Sequence, residues 1–270
     1  MRVVFASARS SPGVTTAMLA CVSVWPARVL LVEAAEDGGA LAARFGLPFE
    51  PGLTTLAAAF RHGGNGDDQS ASLGSHVQAL PGTDRIAALV GPASLEAAQA
   101  LLRTAAGRLA GLLDQADTDV LVDAGRLPAV PLARPLISSA DRLLLVVRPR
   151  VEELTALASR LAHLSGLGPS PELLLVGDRP YGPGEVAGTL GVPVAGVLAH
   201  DPDAAEALAA AGSGRRLGRS ALLRTAGGLV DRLVDPRPDR PQRGGGDVEV
   251  AGANGVQQLS RRRRLLAGRS

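Results

Sequence analysis

Short apolar runs alternate with longer amphipathic stretches along most of the chain. The runs Val3–Ala6, Val29–Val32, Val77–Leu80, Val120–Val122, Leu143–Val147, Leu173–Val176 and Val194–Leu198 predict strands. Several are continuously apolar, as expected of a parallel sheet buried on both faces. Between them, Thr15–Val24, Gly39–Phe45, Leu53–Phe60, Ser94–Leu113, Val151–Leu164, Pro202–Ala211 and Ser220–Val234 predict helices. Ser94 is a suitable N-cap, and Glu96 places negative charge where the helix dipole favours it. This βαβ rhythm predicts a doubly wound α/β domain with a mostly parallel sheet over residues 1–235.

Two segments interrupt the rhythm. Residues 61–76 are polar and Gly-rich and predict a surface loop. Residues 236–270 begin rich in Pro, Arg and Gly and end in Arg261–Arg264, Leu265 and Leu266. They predict a linker and a disordered basic tail.

Composition narrows the chemistry. The 270 residues include four Phe, one Tyr and one Trp, so the core rests on Leu, Val and Ala and aromatic base-stacking platforms are nearly excluded. All 28 basic residues are arginine. Drift in a GC-rich genome would produce the same bias, but the consequence stands: no Schiff base and no phosphate-binding lysine. The net charge of +2 divides unevenly, with a balance of +5 from residue 236 onward and −3 before it. A mildly acidic domain therefore carries a basic tail. Cys21 is the single cysteine, which excludes an internal disulfide and predicts a small core residue. No apolar stretch reaches the roughly 18 residues of a membrane span, and the N-terminus begins in a strand-like run without an export pattern. A cytoplasmic protein is the expectation.

Candidate chemistry gathers after the first strand. Val3–Ala6 runs through Ser7, Ala8, Arg9, Ser10, Ser11, Pro12 and Gly13 into Val14, Thr15 and Thr16, which open an apolar helix. In an open α/β sheet the ligand crevice lies beyond the carboxyl ends of the strands. Backbone N–H groups and the helix dipole there suit an anion, Gly13 permits close approach, and the Thr15 hydroxyl can ligate Mg²⁺. The P-loop pattern GxxxxGK[ST] fails at Ala8 and at Val14. On this window alone, a degenerate phosphate loop and an ordinary small-residue βα turn both stand.

The rest of the chain resembles the MinD/ParA family of P-loop ATPases. Arg9 through Thr16 aligns with the family's KGGxGKTT, with Arg9 at the signature lysine and Val14 at the P-loop lysine, while Gly13, Thr15 and Thr16 are kept. Arg28 through Ala35 is similar to RVLLVDxD, with Glu33 for the first Asp and Ala35 for the second. Thr118 through Gly125 resembles the Walker B strand and keeps its terminal acid as Asp123. Ser139 through Val147 resembles the next strand, and Val176 through Arg179 the base-contacting VxNR, with Asp178 for Asn. Val192 through Asp201 is similar to IPxxGxIPxD, with His200 for Pro. The resemblance spans residues 1–235 in order and implies a P-loop NTPase fold. It also implies a nucleotide site at Arg9, Ser11, Gly13, Val14, Thr15, Thr16, Asp178 and Arg179, with Mg²⁺ at Thr15 and Asp123.

The departures weaken that chemistry. Val14 cannot supply the lysine's charge to the β/γ-phosphates, and Ala35 leaves the water-orienting role vacant. Glu36 is adjacent, but one residue's shift turns its side chain elsewhere. Arg9 reads either as a charge offered to a neighbouring protomer or as a solvated surface residue. Losing one preorganised charge commonly costs about 10²–10³ in rate, so two losses predict little or no ATP hydrolysis and weak ATP/Mg binding. Asp123 reads as a functional remnant or as a strand-end cap.

Elsewhere, His62, His76, His163 and His200 have no metal-ligand spacing. Asp201-Pro202-Asp203 predicts a helix start, and the pairs Glu152/Glu153 and Asp67/Asp68 predict solvated surface. The Arg261–Arg264 tail reads as solvated or as an electrostatic contact to DNA or an anionic membrane. The resemblance implies a regulatory or positioning factor in partitioning, septum placement or pilus and secretion localisation. It would work with protein partners, as a homodimer or not, in the cytoplasm or peripheral to membrane or nucleoid. The alternative is a slow ATPase whose nucleotide-driven dimer binds DNA or membrane.

Overall fold

A computed structural model describes residues 1–9, 13–62, 72–210 and 215–235. Eight strands form one sheet: β1 (Arg2–Ser7), β2 (Val29–Glu33), β3 (Gln78–Ala79), β4 (Ile86–Leu89), β5 (Asp119–Arg126), β6 (Arg142–Val147), β7 (Pro171–Val176) and β8 (Val194–Leu198). Their order is β3-β4-β2-β5-β1-β6-β7-β8. Every pairing is parallel except β3 with β4. The expected doubly wound α/β fold is the observed one.

The two-residue period of a strand divides the apolar runs between two helical layers. Val4, Leu30, Val122, Leu145 and Leu173 pack on one side. There they meet α3 (Leu53–His62), α4 (Leu95–Asp114), α5 (Arg134–Ser138), α6 (Val151–Ala158), α7 (Leu161–Ser165) and α8 (Pro183–Leu190). Phe5, Leu31, Leu121, Leu144 and Leu174 face the other layer. It consists of α1 (Val14–Ser23), α2 (Leu41–Phe45), α9 (Pro202–Ala209) and α11 (Ala221–Val234), with α10 (Arg215–Gly218) leading into α11. Cys21 is fully buried in α1, as expected of a small core residue. Ser94 caps α4 by accepting the Ala97 N–H at 3.2 Å.

Several elements differ from the sequence pattern. The expected strand Val77–Leu80 contracts to the edge pair Gln78–Ala79, and β4 adds a strand whose two alanines concealed it. Helices α5 and α8 were not anticipated, because each has a proline in its first turn and α8 carries two interior glycines. The expected helix Val151–Leu164 is two helices, α6 and α7, that break at Ser159 and Arg160. The Arg160 guanidinium explains the break. It donates to the carbonyls of Ala8, Leu127 (2.6 Å) and Pro128 (2.7 Å), a reach that a continuous helix would not present.

No helix among the described residues is long and apolar enough to cross a membrane. The predicted linker and tail over residues 236–270 lie outside the described residues, as do Asp67 and Asp68. Strand β1 sits between β5 and β6, and the chain leaves β1 toward β2 on one side but β5 toward β6 on the other. The carboxyl end of β1 is therefore the topological switch point, where a crevice opens.

Candidate functional site

At the switch point β1 ends in buried Ser7, and Gly13 is the N-cap of α1. Gly13 has φ +103°, a left-handed conformation that suits glycine and starts the helix without a capping side chain. The first N–H groups of such a helix have no intrahelical acceptor. Ser11, part of the predicted cradle, lies outside the described residues.

The Thr15 hydroxyl donates to Asp123 Oδ2 at 2.5 Å, and the Gly125 N–H donates to Oδ1 at 2.9 Å. Gly125 is left-handed, with φ +58°, and a Cβ there would lie 2.8 Å from the Ala35 Cβ. Burial pushes the Asp123 carboxyl above the usual carboxylate range. The Thr15 and Gly125 hydrogen bonds and the positive charge of Arg44 oppose that shift. Two residues separated by more than 100 positions thus meet where the first turn of α1 faces β5. Asp123 holds the first turn of α1 through the Thr15 hydroxyl as well as the turn at Gly125.

The departures from the P-loop pattern have definite places. Val14 is buried in the apolar layer behind α1 with Met18 and Phe5, so it offers no charge to the crevice. Ala35 is half-buried against Gly125. The buried Glu36 carboxylate accepts the Leu132 N–H at 2.6 Å ahead of α5. Burial raises its pKa, opposed by the Leu132 and Ala133 N–H groups. Arg9 is exposed.

Glu33 does what the pattern did not foresee. Its Oε1 accepts the Ala40 and Leu41 N–H groups at 2.5 and 2.8 Å, and Oε2 accepts that of Gly91 at 3.0 Å. Burial raises its pKa; those three hydrogen bonds act in the opposite direction, and the neighbouring Asp123 charge adds to the rise. Only glycine leaves room for it at residue 39, where a Cβ would lie 2.2 Å from Oε2. Glycines at 39 and 91 around an acid-ended strand were the available signal.

Glu153 is a correction to the expected solvated pair. It is buried, and its carboxylate accepts the Arg148 N–H at 2.9 Å, because α6 starts by folding its first turn back over β6. Asp201 starts α9 as expected and also accepts the Ala221 N–H that opens α11. His76 is buried, with Nδ1 2.8 Å from the Thr55 hydroxyl. Among the described residues no cluster of three or more His, Cys, Asp or Glu could hold a metal ion.

Two adjoining cavities extend from α1 across the ends of β6, β7 and β8. One, of about 280 Å³, is lined by Gly13, Thr16, Arg148, Leu198 and His200 among others. The second, of about 490 Å³, shares Arg148 and His200 and reaches exposed Asp178 and Arg179. Gly13 and Thr16 therefore stand at one end of a continuous crevice, and Asp178 and Arg179 at the other. A broader depression of about 1300 Å³, around Arg142, Glu172 and Pro193, lies at the opposite ends of the strands.

No family model matches the chain, and no curated protein is significantly similar to it. Solved structures do share its fold. A ParA family ATPase from Chlorobium tepidum TLS is 19% identical with a TM-score of 0.69, over 85% of this chain and 98% of that one. The septum site-determining protein MinD of Pyrococcus horikoshii OT3, solved with Mg-ADP, is 16% identical with a TM-score of 0.68, over 86% and 95%. A chain of the MinC:MinD cell division complex of Aquifex aeolicus is 13% identical with a TM-score of 0.65, over 91% and 99%. At such identities the likeness is one of fold: this chain has the fold of the MinD/ParA ATPases.

Proposed function

We propose that this chain is a MinD/ParA-like protein with a degenerate nucleotide site, which binds nucleotide weakly, turns it over little or not at all, and acts as a regulatory or positioning factor. The observation that carries this reading is the Thr15–Asp123 hydrogen bond at the switch point, beside a Val14 buried in the core. The pair retains the oxygen donors of a phosphate site, while the residue before Thr15 has left it.

Thr15 and Asp123 suit a Mg²⁺ carried in by phosphate. One hydroxyl and one carboxylate are few ligands, and the remainder would come from phosphate oxygens and water. A bound Mg²⁺ would add charge neutralisation on phosphate oxygens. The first N–H groups of α1 would hold phosphate, and Thr16 and Arg148 would line the path toward Asp178 and Arg179. With Val14 apolar and Ala35 without a carboxylate, neither charge stabilisation by lysine nor orientation of an attacking water is provided.

The fold relative found in a MinC:MinD complex supports a role exercised through protein partners. The exposure of Arg9 favours a second reading, in which two copies close over nucleotide and Arg9 reaches the partner's phosphates as a slow ATPase. The Arg261–Arg264 tail then adds an electrostatic contact to DNA or an anionic membrane.

Phosphate release from ATP tests the reading. The wild-type chain is expected to stay at background, and Val14→Lys combined with Ala35→Asp to raise the rate by about 10²-fold. Wild-type turnover equal to that of the double variant contradicts it and favours the slow ATPase.

A further inference from the structure

Strand β6 ends at Val147, two residues ahead of Pro149, which has no N–H to give to a ladder. The chain turns there, the Arg150 N–H donating to the Arg148 carbonyl at 2.7 Å, before α6 starts at Val151. On the neighbouring strand β7 ends at Val176, and left-handed Gly177, with φ +81°, leads into Asp178 and Arg179. The two turns meet around the second cavity of about 490 Å³, which Arg148, Arg150, Asp178, Arg179 and His200 line together.

That cavity holds positive charge that its surroundings do not neutralise. Three arginines and one carboxylate line it, and none of the three guanidinium groups lies within 4 Å of an acid among the described residues. The acids in the first turn of α6 do not serve: buried Glu153 accepts the Arg148 backbone N–H at 2.9 Å, and Glu152 is exposed. The Arg148 Nε is buried and has no hydrogen-bond acceptor. A buried donor without an acceptor is unfavourable, more so when it carries charge. The arginines around the depression at the opposite strand ends are engaged by contrast: Arg142 pairs with Glu172 at 2.6 Å, and Arg232 donates to the Ala195 carbonyl at 3.2 Å. An uncharged base beside Asp178 and Arg179 would leave the excess positive charge unbalanced. A phosphate group balances it, and its oxygens accept paired N–H groups from a planar guanidinium.

We propose that the second cavity is a phosphate site in its own right, in which Arg148, Arg150 and Arg179 hold a phosphate group, free or borne on a small ligand, apart from the cradle at the start of α1. The site is made by the turns after β6 and β7, not by Thr15 and Asp123. It therefore stands or falls independently of the nucleotide reading.

Calorimetric titration with inorganic pyrophosphate and with ribose 5-phosphate, in EDTA, tests the proposal. Neither probe has a base, and EDTA leaves no divalent metal to draw them to Thr15 and Asp123. Saturable binding is expected, weakened about tenfold or more by Arg150→Gln and by Arg148→Gln, each of which removes a charge-assisted contact. Arg150 is exposed, so its variant is expected to keep the wild-type Tm. Asp178→Asn, which takes the acid from the same wall, is expected to strengthen binding. Arg103→Gln, which removes an equal charge from α4, is expected to leave it unchanged. Tighter binding of ribose 5-phosphate than of pyrophosphate marks a sugar-phosphate ligand, and the reverse marks the free ion. No saturable binding, equal weakening by Arg103→Gln, or binding that Thr15→Ala weakens and Arg150→Gln does not, overturns the proposal.

Discussion

Glu33 and Asp123 sit side by side on β2 and β5, buried alike, yet their carboxylates are held by different means. Glu33 is satisfied by three backbone N–H groups, Asp123 by one N–H and one hydroxyl. Burial raises the pKa of Glu33, so the folded chain binds its proton more tightly than the unfolded chain does. The associated stability is fully present below the ordinary glutamate range and is lost as pH rises through the raised native value. Glu33→Gln is expected to remove that dependence, while its amide sets a donor against one of the three N–H donors and costs about 1–3 kcal/mol. Thermal unfolding of both chains from acid to neutral pH checks this, the gap between their curves narrowing as pH rises; parallel curves would contradict it. The single thiol stands apart from this chemistry: burial pushes Cys21 up to about 12, which leaves it an inert core residue.

Among the elements, legibility followed periodicity. The continuous apolar runs of β1, β2, β5, β6, β7 and β8 and the long amphipathic α4 were plain, because burial on two faces or on one stripe imposes a pattern. β4 was not, since Ala87 and Ala88 carry little hydrophobic signal and the strand is made by its pairing with β2. α5 and α8 were hidden by prolines that serve as helix starts and by glycines that lower propensity. The α6–α7 break was invisible because its cause is tertiary. Arg160 joins the start of the phosphate-loop region at Ala8 to the segment after β5 at Leu127 and Pro128. Arg160→Ala is expected to lower stability by about 1.5–3 kcal/mol, the range of hydrogen bonds to charged groups. Hydrogen exchange near residues 126–134 should accelerate with it. Arg160→Lys should restore little, since an ammonium lacks the planar fork that reaches several carbonyls. Unchanged exchange in Arg160→Ala would show that the two loops are held by something else.

At the scale of the whole molecule, doubly wound topology brings Gly13, Thr15, Asp123, Asp178 and Arg179 to one edge of the sheet. Residues from three separate stretches of sequence thus meet at the carboxyl ends of the strands, which is why their order along the chain was informative. What the sequence could not disclose was compensation. Val14 marks a missing lysine, but that Glu33 serves as a backbone clamp depends on glycines at 39 and 91. The absence of lysine, a compositional bias at first, becomes a local question about one buried carboxylate. Calorimetric titration of the wild-type chain, Thr15→Ala and Asp123→Ala with ATP and ADP addresses the central claim most directly. The account predicts weak saturable binding to the wild type that each substitution weakens by about tenfold or more, the effect of losing a charge-assisted or oxygen contact worth ~1.4 kcal/mol. No binding to the wild type, or binding that neither substitution alters, would contradict it.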